Sequence, residues 1–407
     1  MGSQACVQVL QINSVCGKGS TGKLAVQISD VLTENGVENY IAYGYGTTTA
    51  SNAFRFSAMW EAHLHSFLSR RFCKQGYGSV LATRKLIRWM KKHKPRVVHL
   101  HNIHGHYLNF KMLFGYLNRT DIEVIWTFHD CWPVTGKCTH FTTAGCNKWK
   151  TQCENCPQLS TYPDSVTDRS RKNYSDKKTY FTENKRMHIV TVSEWLRGVA
   201  EQSFFGGKAD VRCIYNGINT EVFTPSESDL RARLGLTDKF VVLGVSSVWK
   251  DAKGLGEFIK LAETADPQMA VVLVGVSEEQ KRTLPASIIG VTAVSDQKEL
   301  ARYYSMADVL VNLSAEETFG LVVAEALACG TPAVVVNSTA CPEVVDEATG
   351  LVIAAGTADC ARPALEEIRR RGKAAYTEAC VARARRLFSN ERMQQEYLNL
   401  YRGIMKP

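Results

Sequence analysis

The sequence predicts an α/β protein of two Rossmann-like domains facing a central cleft. Three observations carry this. The chain has 407 residues, too many for one ordinary core. Apolar strand-like runs alternate with amphipathic helical patterns from end to end, which argues for parallel sheets covered by helices. The pattern then restarts after the turn-rich stretch Asn216-Gly217-Ile218-Asn219, just before Pro225. Open α/β sheets bind ligands beyond the carboxyl ends of their strands, so the cleft between two such edges is the expected site.

In the first half, strands are expected at residues 7–12, 39–42, 97–100, 124–127, 188–192 and 211–214. Helices are expected between them, including 23–35 and a basic helix at 84–93. In the second half the expected strands are 240–245, 269–274, 309–313 and 333–336, with helices at 256–265, 297–305 and 320–329. The predicted domains are 1–217, with a cysteine-rich insertion at 131–163, and 218–389. A last helix, 390–407, carries Tyr397 and Tyr401 and should pack back on the first domain.

Apolar residues make up 45% of the chain and charged residues 22%, as in a folded soluble protein. No run of ~18 apolar residues suggests a membrane span. The start, Met1-Gly2-Ser3-Gln4-Ala5-Cys6, lacks the basic, apolar and small-residue order of a signal peptide, which points to the cytoplasm. The 13 cysteines are odd in number, and Cys213, Cys329 and Cys341 sit in apolar runs, so free thiols or a metal site are expected over disulfides. The formal charge is +9, part of it on Arg84, Lys85, Arg88, Lys91, Lys92 and Lys94, and part between Arg169 and Arg186. One reading is a solvated lysine-rich face. The other is attraction to an anionic membrane, at roughly 1 kcal/mol per basic residue near the surface. No nucleic-acid-binding pattern accompanies the charge.

Three motifs carry chemistry. The first is Cys16-Gly17-Lys18-Gly19-Ser20-Thr21-Gly22-Lys23-Leu24, directly after the first strand. Its glycines permit a tight turn and close approach to a ligand, and a helix starting near Ser20 would present free N–H groups to a phosphate. The loop resembles a P-loop, but Leu24 stands where the magnesium-binding hydroxyl would be, and the strand at 97–100 is followed by His101. A ligand-free strand-to-helix turn is the plain alternative.

The second is Glu317-Thr318-Phe319-Gly320-Leu321-Val322-Val323-Ala324-Glu325. It offers a carboxylate in a loop, a helix N-terminus for an anion, and a second carboxylate further into the helix. Helix-capping glutamates would be the plain alternative, which the following Ala326-Leu327-Ala328-Cys329-Gly330-Thr331-Pro332 makes less attractive. The third motif is Cys138, Cys146, Cys153 and Cys156; its Cys-x2-Cys pair is typical of structural zinc, with free thiols or a disulfide as alternatives and Cys131 and His140 as substitute ligands.

The segment from Ser314 to Pro332 resembles the Glu-x7-Glu signature of retaining glycosyltransferases of family 4, which have the GT-B fold. Further matches fall in order along nearly the whole chain: Ser193, Asn216-Gly217-Ile218-Asn219 with Phe223 and Pro225, Lys253-Gly254, Ala307-Asp308, and Pro342-Glu343 with Gly350. The first half resembles the colanic acid and exopolysaccharide type through Gly19-Ser20-Thr21-Gly22, His99-Leu100-His101-Asn102, Trp126-Thr127-Phe128-His129-Asp130 and the cysteine-rich stretch.

The resemblance implies roles. Glu317 would hold donor-sugar hydroxyls and Glu325 the donor ribose. The backbone of Phe319-Gly320-Leu321 would meet the sugar or diphosphate, Lys253 and Lys250 would neutralise the diphosphate, and Gly19 and Ser20 would close on the donor from the first domain. His101 matches the histidine that faces the transferred sugar; His129 is a second candidate, and either could instead cap a strand. One departure stands out: where the family has an arginine five residues before its lysine, this chain has Val248.

The implied reaction transfers a sugar from a nucleoside-diphosphate sugar to a saccharide or lipid-linked saccharide in bacterial surface polysaccharide or capsule biosynthesis. No catalytic cofactor is expected, since no Asp-x-Asp metal pair occurs and lysine and helix N–H groups would meet the leaving diphosphate. The location would be cytoplasmic, with peripheral contact at the inner membrane face. A P-loop-like NTPase or kinase and a non-catalytic scaffold of a polysaccharide assembly complex are the alternatives.

Overall fold

The computed structural model describes residues 7–405; Met1 to Cys6, on which the expectation about a leader rested, lie outside the described residues. The chain divides into two units, one formed by Met1–Ile214 with Gln394–Pro407 and the other by Tyr215–Met393.

The first unit runs β1 (Val9–Val15), α1 (Gly19–Glu34), β2 (Asn39–Tyr45), β3 (Ala53–Arg55), α2 (Met59–Phe72), α3 (Val80–His93) and β4 (Val97–Leu100). It continues with α4 (Phe110–Leu117), β5 (Glu123–Phe128), α5 (Ser170–Thr182), β6 (Met187–Thr191), α6 (Glu194–Gln202) and β7 (Asp210–Cys213). Its seven strands lie in the order β3-β2-β1-β4-β5-β6-β7, and every pairing is parallel. A parallel sheet covered on both faces needs strands that are apolar throughout. Val97, Val98 and Leu100 of β4 and Val124 and Ile125 of β5 are accordingly buried.

The second unit contains α7 (Leu230–Arg233), β8 (Phe240–Val245), α8 (Leu255–Glu263), β9 (Met269–Val274), α9 (Glu278–Thr283), β10 (Ile288–Val291) and α10 (Gln297–Met306). After these come β11 (Val309–Asn312), α11 (Leu321–Ala328), β12 (Ala333–Val336), α12 (Cys341–Val344), β13 (Gly350–Ile353), α13 (Ala358–Arg371) and α14 (Ala374–Phe388). Its six strands are ordered β10-β9-β8-β11-β12-β13, again all parallel. In both sheets the strand order reverses beside the first strand, at β1/β4 and β8/β11. Loops leaving adjacent strands there diverge to opposite faces, which opens the crevice where α/β sheets take ligands.

The last helix, α15 (Asn390–Ile404), crosses the division between the units. Its later part belongs to the first unit. The His99 Nδ1 atom lies 2.6 Å from the Tyr401 hydroxyl, and Thr127 Oγ1 lies 2.9 Å from that of Tyr397, with all four residues buried. The unit boundaries differ slightly from 217 and 389. Tyr215 packs against the rings of Phe319 and Phe388, and Ile218 exchanges backbone hydrogen bonds with Phe388 and Asn390, so this turn joins the second unit. Among the described residues no helix is long and apolar enough to cross a membrane.

Candidate active site

In the second unit the β8/β11 reversal brings together two loops distant in sequence. Leu243 of β8 is in register with Leu310 of β11. The loop after β8 carries Val248, Lys250 and a short turn, Asp251–Lys253, closed by Gly254 in a left-handed conformation. The loop after β11 carries Ser314 and Glu317. Lys253 Nζ donates to Glu317 Oε1 at 2.5 Å and to Ser314 Oγ at 3.2 Å. This engages two of the ammonium's three N–H groups and one of the two carboxylate oxygens, leaving a cationic donor and an anionic acceptor side by side.

The β11 loop is held rigidly. Glu317 N–H donates to Thr339 Oγ1 at 3.0 Å, Ala340 N–H to the Glu317 carbonyl at 3.2 Å, and Ser338 Oγ to the Ala315 carbonyl at 2.7 Å. Phe319 is buried and meets Phe388 edge to face, so only its backbone is placed to meet a ligand. Gly320 caps α11 at φ 100, a conformation that disfavours any side chain. The cap has no side-chain acceptor, so the first-turn N–H groups of Leu321 and Val322 are oriented out of the helix. Glu325, in the second turn, accepts from the buried Tyr304 hydroxyl at 2.7 Å, which fixes its carboxylate. Lys250 and the Val248 side chain are both exposed, and the Val248 position supplies no charge.

The first unit has its own reversal, where Ile12 of β1 is in register with Leu100 of β4. Beyond β1, Gly17, Gly19 and Ser20 are exposed, and Gly19 begins α1 at φ 62 with open space where a Cβ would point. Backbone conformation, and not crowding, therefore selects glycine there. Leu24 is buried in α1, where a P-loop helix would need a hydroxyl facing a metal.

The two candidate histidines are linked but unequal. His101 is buried. Its Nε2 lies 3.0 Å from Gln11 Oε1, and its Nδ1 lies 3.2 Å from His129 Nε2. His129 is only partly buried. Since Gln11 Nε2 donates to the Ala25 carbonyl, Gln11 Oε1 must accept from His101 Nε2–H. The remaining His101 nitrogen then accepts from His129 Nε2–H, and the outer Nδ1 of His129 carries a lone pair. Burial pushes both pKa values down, His101 well below 6.5 and His129 to about 4, so both rings are neutral at pH 7. His129 is thus the more exposed ring, and His101 sits behind it and sets its tautomer. Gln11, Ser314, Thr339 and Tyr304 were not foreseen. Gln11 alone left a trace, a polar residue inside an apolar strand.

Cys138, Cys146, Cys153 and Cys156 are free thiols, and among the described residues no group of three or more His, Cys, Asp or Glu side chains is placed to hold a metal ion. Two buried lysines hold the insertion together instead. Lys137 Nζ donates to the carbonyls of Gln158 at 2.6 Å and Thr161 at 2.8 Å, and Lys177 Nζ to those of Trp132 at 2.6 Å and Thr135 at 2.9 Å. Lys177 also stands 3.3 Å over the Trp132 ring. Burial raises the Cys138 thiol to about 12 and Cys153 to about 11, keeping both protonated.

Comparison with known proteins identifies the family. A family model described as Glycosyltransferase Family 4 matches residues 21–222, and one described as Glycosyl transferases group 1 matches residues 226–385. The chain is 23% identical over 424 residues to the putative colanic acid biosynthesis glycosyl transferase WcaC of Escherichia coli (strain K12), covering 98% of this chain and 100% of that one. It is 31% identical over 218 residues to D-inositol 3-phosphate glycosyltransferase of Saccharomonospora viridis, covering 48% and 50% of the two chains. Among solved structures, sucrose-phosphate synthase from Thermosynechococcus elongatus aligns with TM-score 0.70 at 18% identity, covering 98% of each chain. Anabaena HepE in complex with UDP aligns with TM-score 0.69 at 14% identity, over 97% of this chain and 100% of that one. Two family models that between them span most of the sequence thus meet a matching fold, and the chain belongs to the glycosyltransferases of family 4, enzymes of the GT-B fold.

Proposed function

We propose that the chain moves a sugar from a nucleoside-diphosphate sugar to a saccharide or lipid-linked saccharide in surface polysaccharide biosynthesis, with retention of configuration and without a catalytic metal. The observation that carries the donor assignment is the Lys253–Glu317 pair beside the N-terminus of α11. The free oxygen of Glu317 suits sugar hydroxyls, and Glu325 suits the ribose. Lys253, Lys250 and the N–H groups of Leu321 and Val322 suit the diphosphate. As the glycosidic bond to phosphate breaks, negative charge grows on the leaving diphosphate, and preorganised donors there lower the barrier. His129 supplies a neutral ring whose outer nitrogen can accept a hydrogen bond from a sugar hydroxyl. The polysaccharide setting is supported by the end-to-end similarity to WcaC. A nucleotide donor is supported by HepE structures in complex with UDP and with UDP-glucose.

The test is a panel of sugar nucleotides, scored by thermal shift and by transfer to polyprenyl-linked saccharides, with and without EDTA. At least one donor should stabilise the protein, and EDTA should leave turnover unchanged. No stabilisation by any sugar nucleotide would defeat the donor assignment, and loss of turnover in EDTA would defeat the metal-free reading.

A further inference from the structure

Helix α2 is turned inside out. Glu61, Ala62, His65 and Ser69 face the interior, while Trp60 (60% exposed), Leu64 (51%) and Phe67 (60%) form a stripe facing outward. Specific hydrogen bonds hold it this way. The Glu61 carboxylate accepts from Leu81 N–H at 2.7 Å and Ala82 N–H at 3.0 Å, capping α3. His65 Nε2 accepts from Gly76 N–H at 3.0 Å and Gly78 N–H at 3.1 Å, and its other nitrogen meets Ser79 Oγ at 2.9 Å. Rotating the helix to bury its apolar stripe would break all of these and strand buried polar groups.

The apolar stripe is part of a larger patch. Of the eleven exposed large hydrophobic side chains among the described residues, nine lie on α2, at the start of α3, or on the 162–166 loop beside them. Val166 N–H donates to the Arg70 carbonyl at 2.8 Å, which fixes that loop against the end of α2. Trp60 and Leu81 line a shared groove of about 320 Å³ with Arg55 and Lys85. Monomeric proteins rarely leave so much contiguous apolar surface exposed without a partner.

Charge identifies the partner. Between Arg55 and Arg96 the chain carries eleven lysines and arginines against a single acidic residue, the buried Glu61. That surplus exceeds the formal charge of the whole chain, +9. Arg70 meets Asp164 at 3.4 Å, but Arg71, Lys74 and Lys85 have no carboxylate within 4.0 Å among the described residues. Tryptophan, leucine and phenylalanine ringed by uncompensated cations match the boundary between acyl chains and anionic headgroups. We infer that the α2 face, with the start of α3, is a docking surface for an anionic phospholipid bilayer. The docking supplies a reason for a lipid-linked acceptor and rests on that reading for its purpose; the binding itself needs no substrate.

The test is flotation of the purified full chain with vesicles of phosphatidylcholine alone or mixed with phosphatidylglycerol. Wild type should float only with the anionic vesicles. The triple variant Trp60→Ser/Leu64→Ser/Phe67→Ser and the double variant Arg71→Glu/Lys85→Glu should each reduce the bound fraction by about tenfold or more. These side chains are exposed, and circular dichroism should confirm folding. Undiminished binding by the serine variant, or a wild type that ignores anionic vesicles, overturns the inference. So does a wild-type dimer in light scattering that the serine variant converts to monomer without any lipid binding, since the face would then join two copies. Thermal shift with sugar nucleotides reads the donor site separately, so a failure there counts against the donor and a failure to float counts against docking.

Discussion

Replacing Lys253 with methionine separates donor binding from stability. The side chain keeps its aliphatic length and loses its charge. One charge-assisted contact to a phosphate oxygen is worth roughly 1.5–3 kcal/mol, so nucleoside diphosphate affinity should fall about 10- to 150-fold. Stability should change little. Lys253 and Glu317 keep 34% and 22% of their side-chain surface exposed, and a pair so hydrated contributes at most about 1 kcal/mol. For a unit of this size that corresponds to a fall in melting temperature of about 2–4 °C. Isothermal titration with UDP and GDP, alongside a thermal melt, measures both. Glu317→Gln provides the contrast: it leaves the ammonium in place, so nucleotide affinity should stay near wild type while turnover collapses. A folded Lys253→Met variant that binds every nucleoside diphosphate as tightly as wild type would refute the assignment of the diphosphate to this loop.

Other outcomes follow from the same geometry. Burial holds His65 and His99 neutral at pKa about 3, and His106 and His129 at about 4, against 6.5 when unfolded. The unfolded chain then binds more protons below pH 6.5, so this stabilisation is complete above that value and is lost as pH falls toward the folded values, by up to roughly 1.4 kcal/mol per pH unit per histidine. Melting temperature should therefore drop between pH 7 and pH 5, and a flat profile would contradict the burial. Tyr401→Phe leaves the buried His99 Nδ1 without its partner and should cost about 1–3 kcal/mol, read by urea denaturation. Gly320→Ala places a side chain at φ 100 and should cost about 1–3 kcal/mol while weakening donor binding, and unchanged affinity would remove Gly320 from the site. A disulfide-exchange reagent at pH 8 should leave Cys138 and Cys153 unmodified until denaturant is added, equally with and without EDTA. A thiol count that rises with EDTA would support the zinc expectation.

Local patterning made much of the fold legible. Strands β4, β8, β9 and β12 coincide with their expected spans because a continuous apolar run between turn residues has few other uses. The short β3 and β10 and the outer strand β13 were not foreseen. Each is a peripheral segment of three or four residues whose burial is incomplete, so the apolar run that marks a central strand is missing. In the site, Glu317, Gly320 and Glu325 were visible because their motif is contiguous, and Lys253 because it stands in a separate Lys253-Gly254 pair. Their partners were not: Thr339 reaches Glu317 from the loop after β12 and Tyr304 reaches Glu325 from α10, both ordinary stretches of sequence. The histidines show the same limit. Both follow strand ends, and nothing local says that Gln11 closes over one of them and not the other.

By itself, then, the sequence determined two parallel α/β units, the glycine-started helices at their strand reversals, and the residues of the donor motif. All of these depend on near neighbours in the chain. Tertiary structure alone decided which distant groups meet: that Lys253 pairs with Glu317, and that His129 is the more exposed ring while His101 is buried behind it. It also decided the outward face of α2. A helix with both apolar and polar stripes can pack either way, and here the hydrogen bonds of Glu61 and His65 turn the apolar one outward.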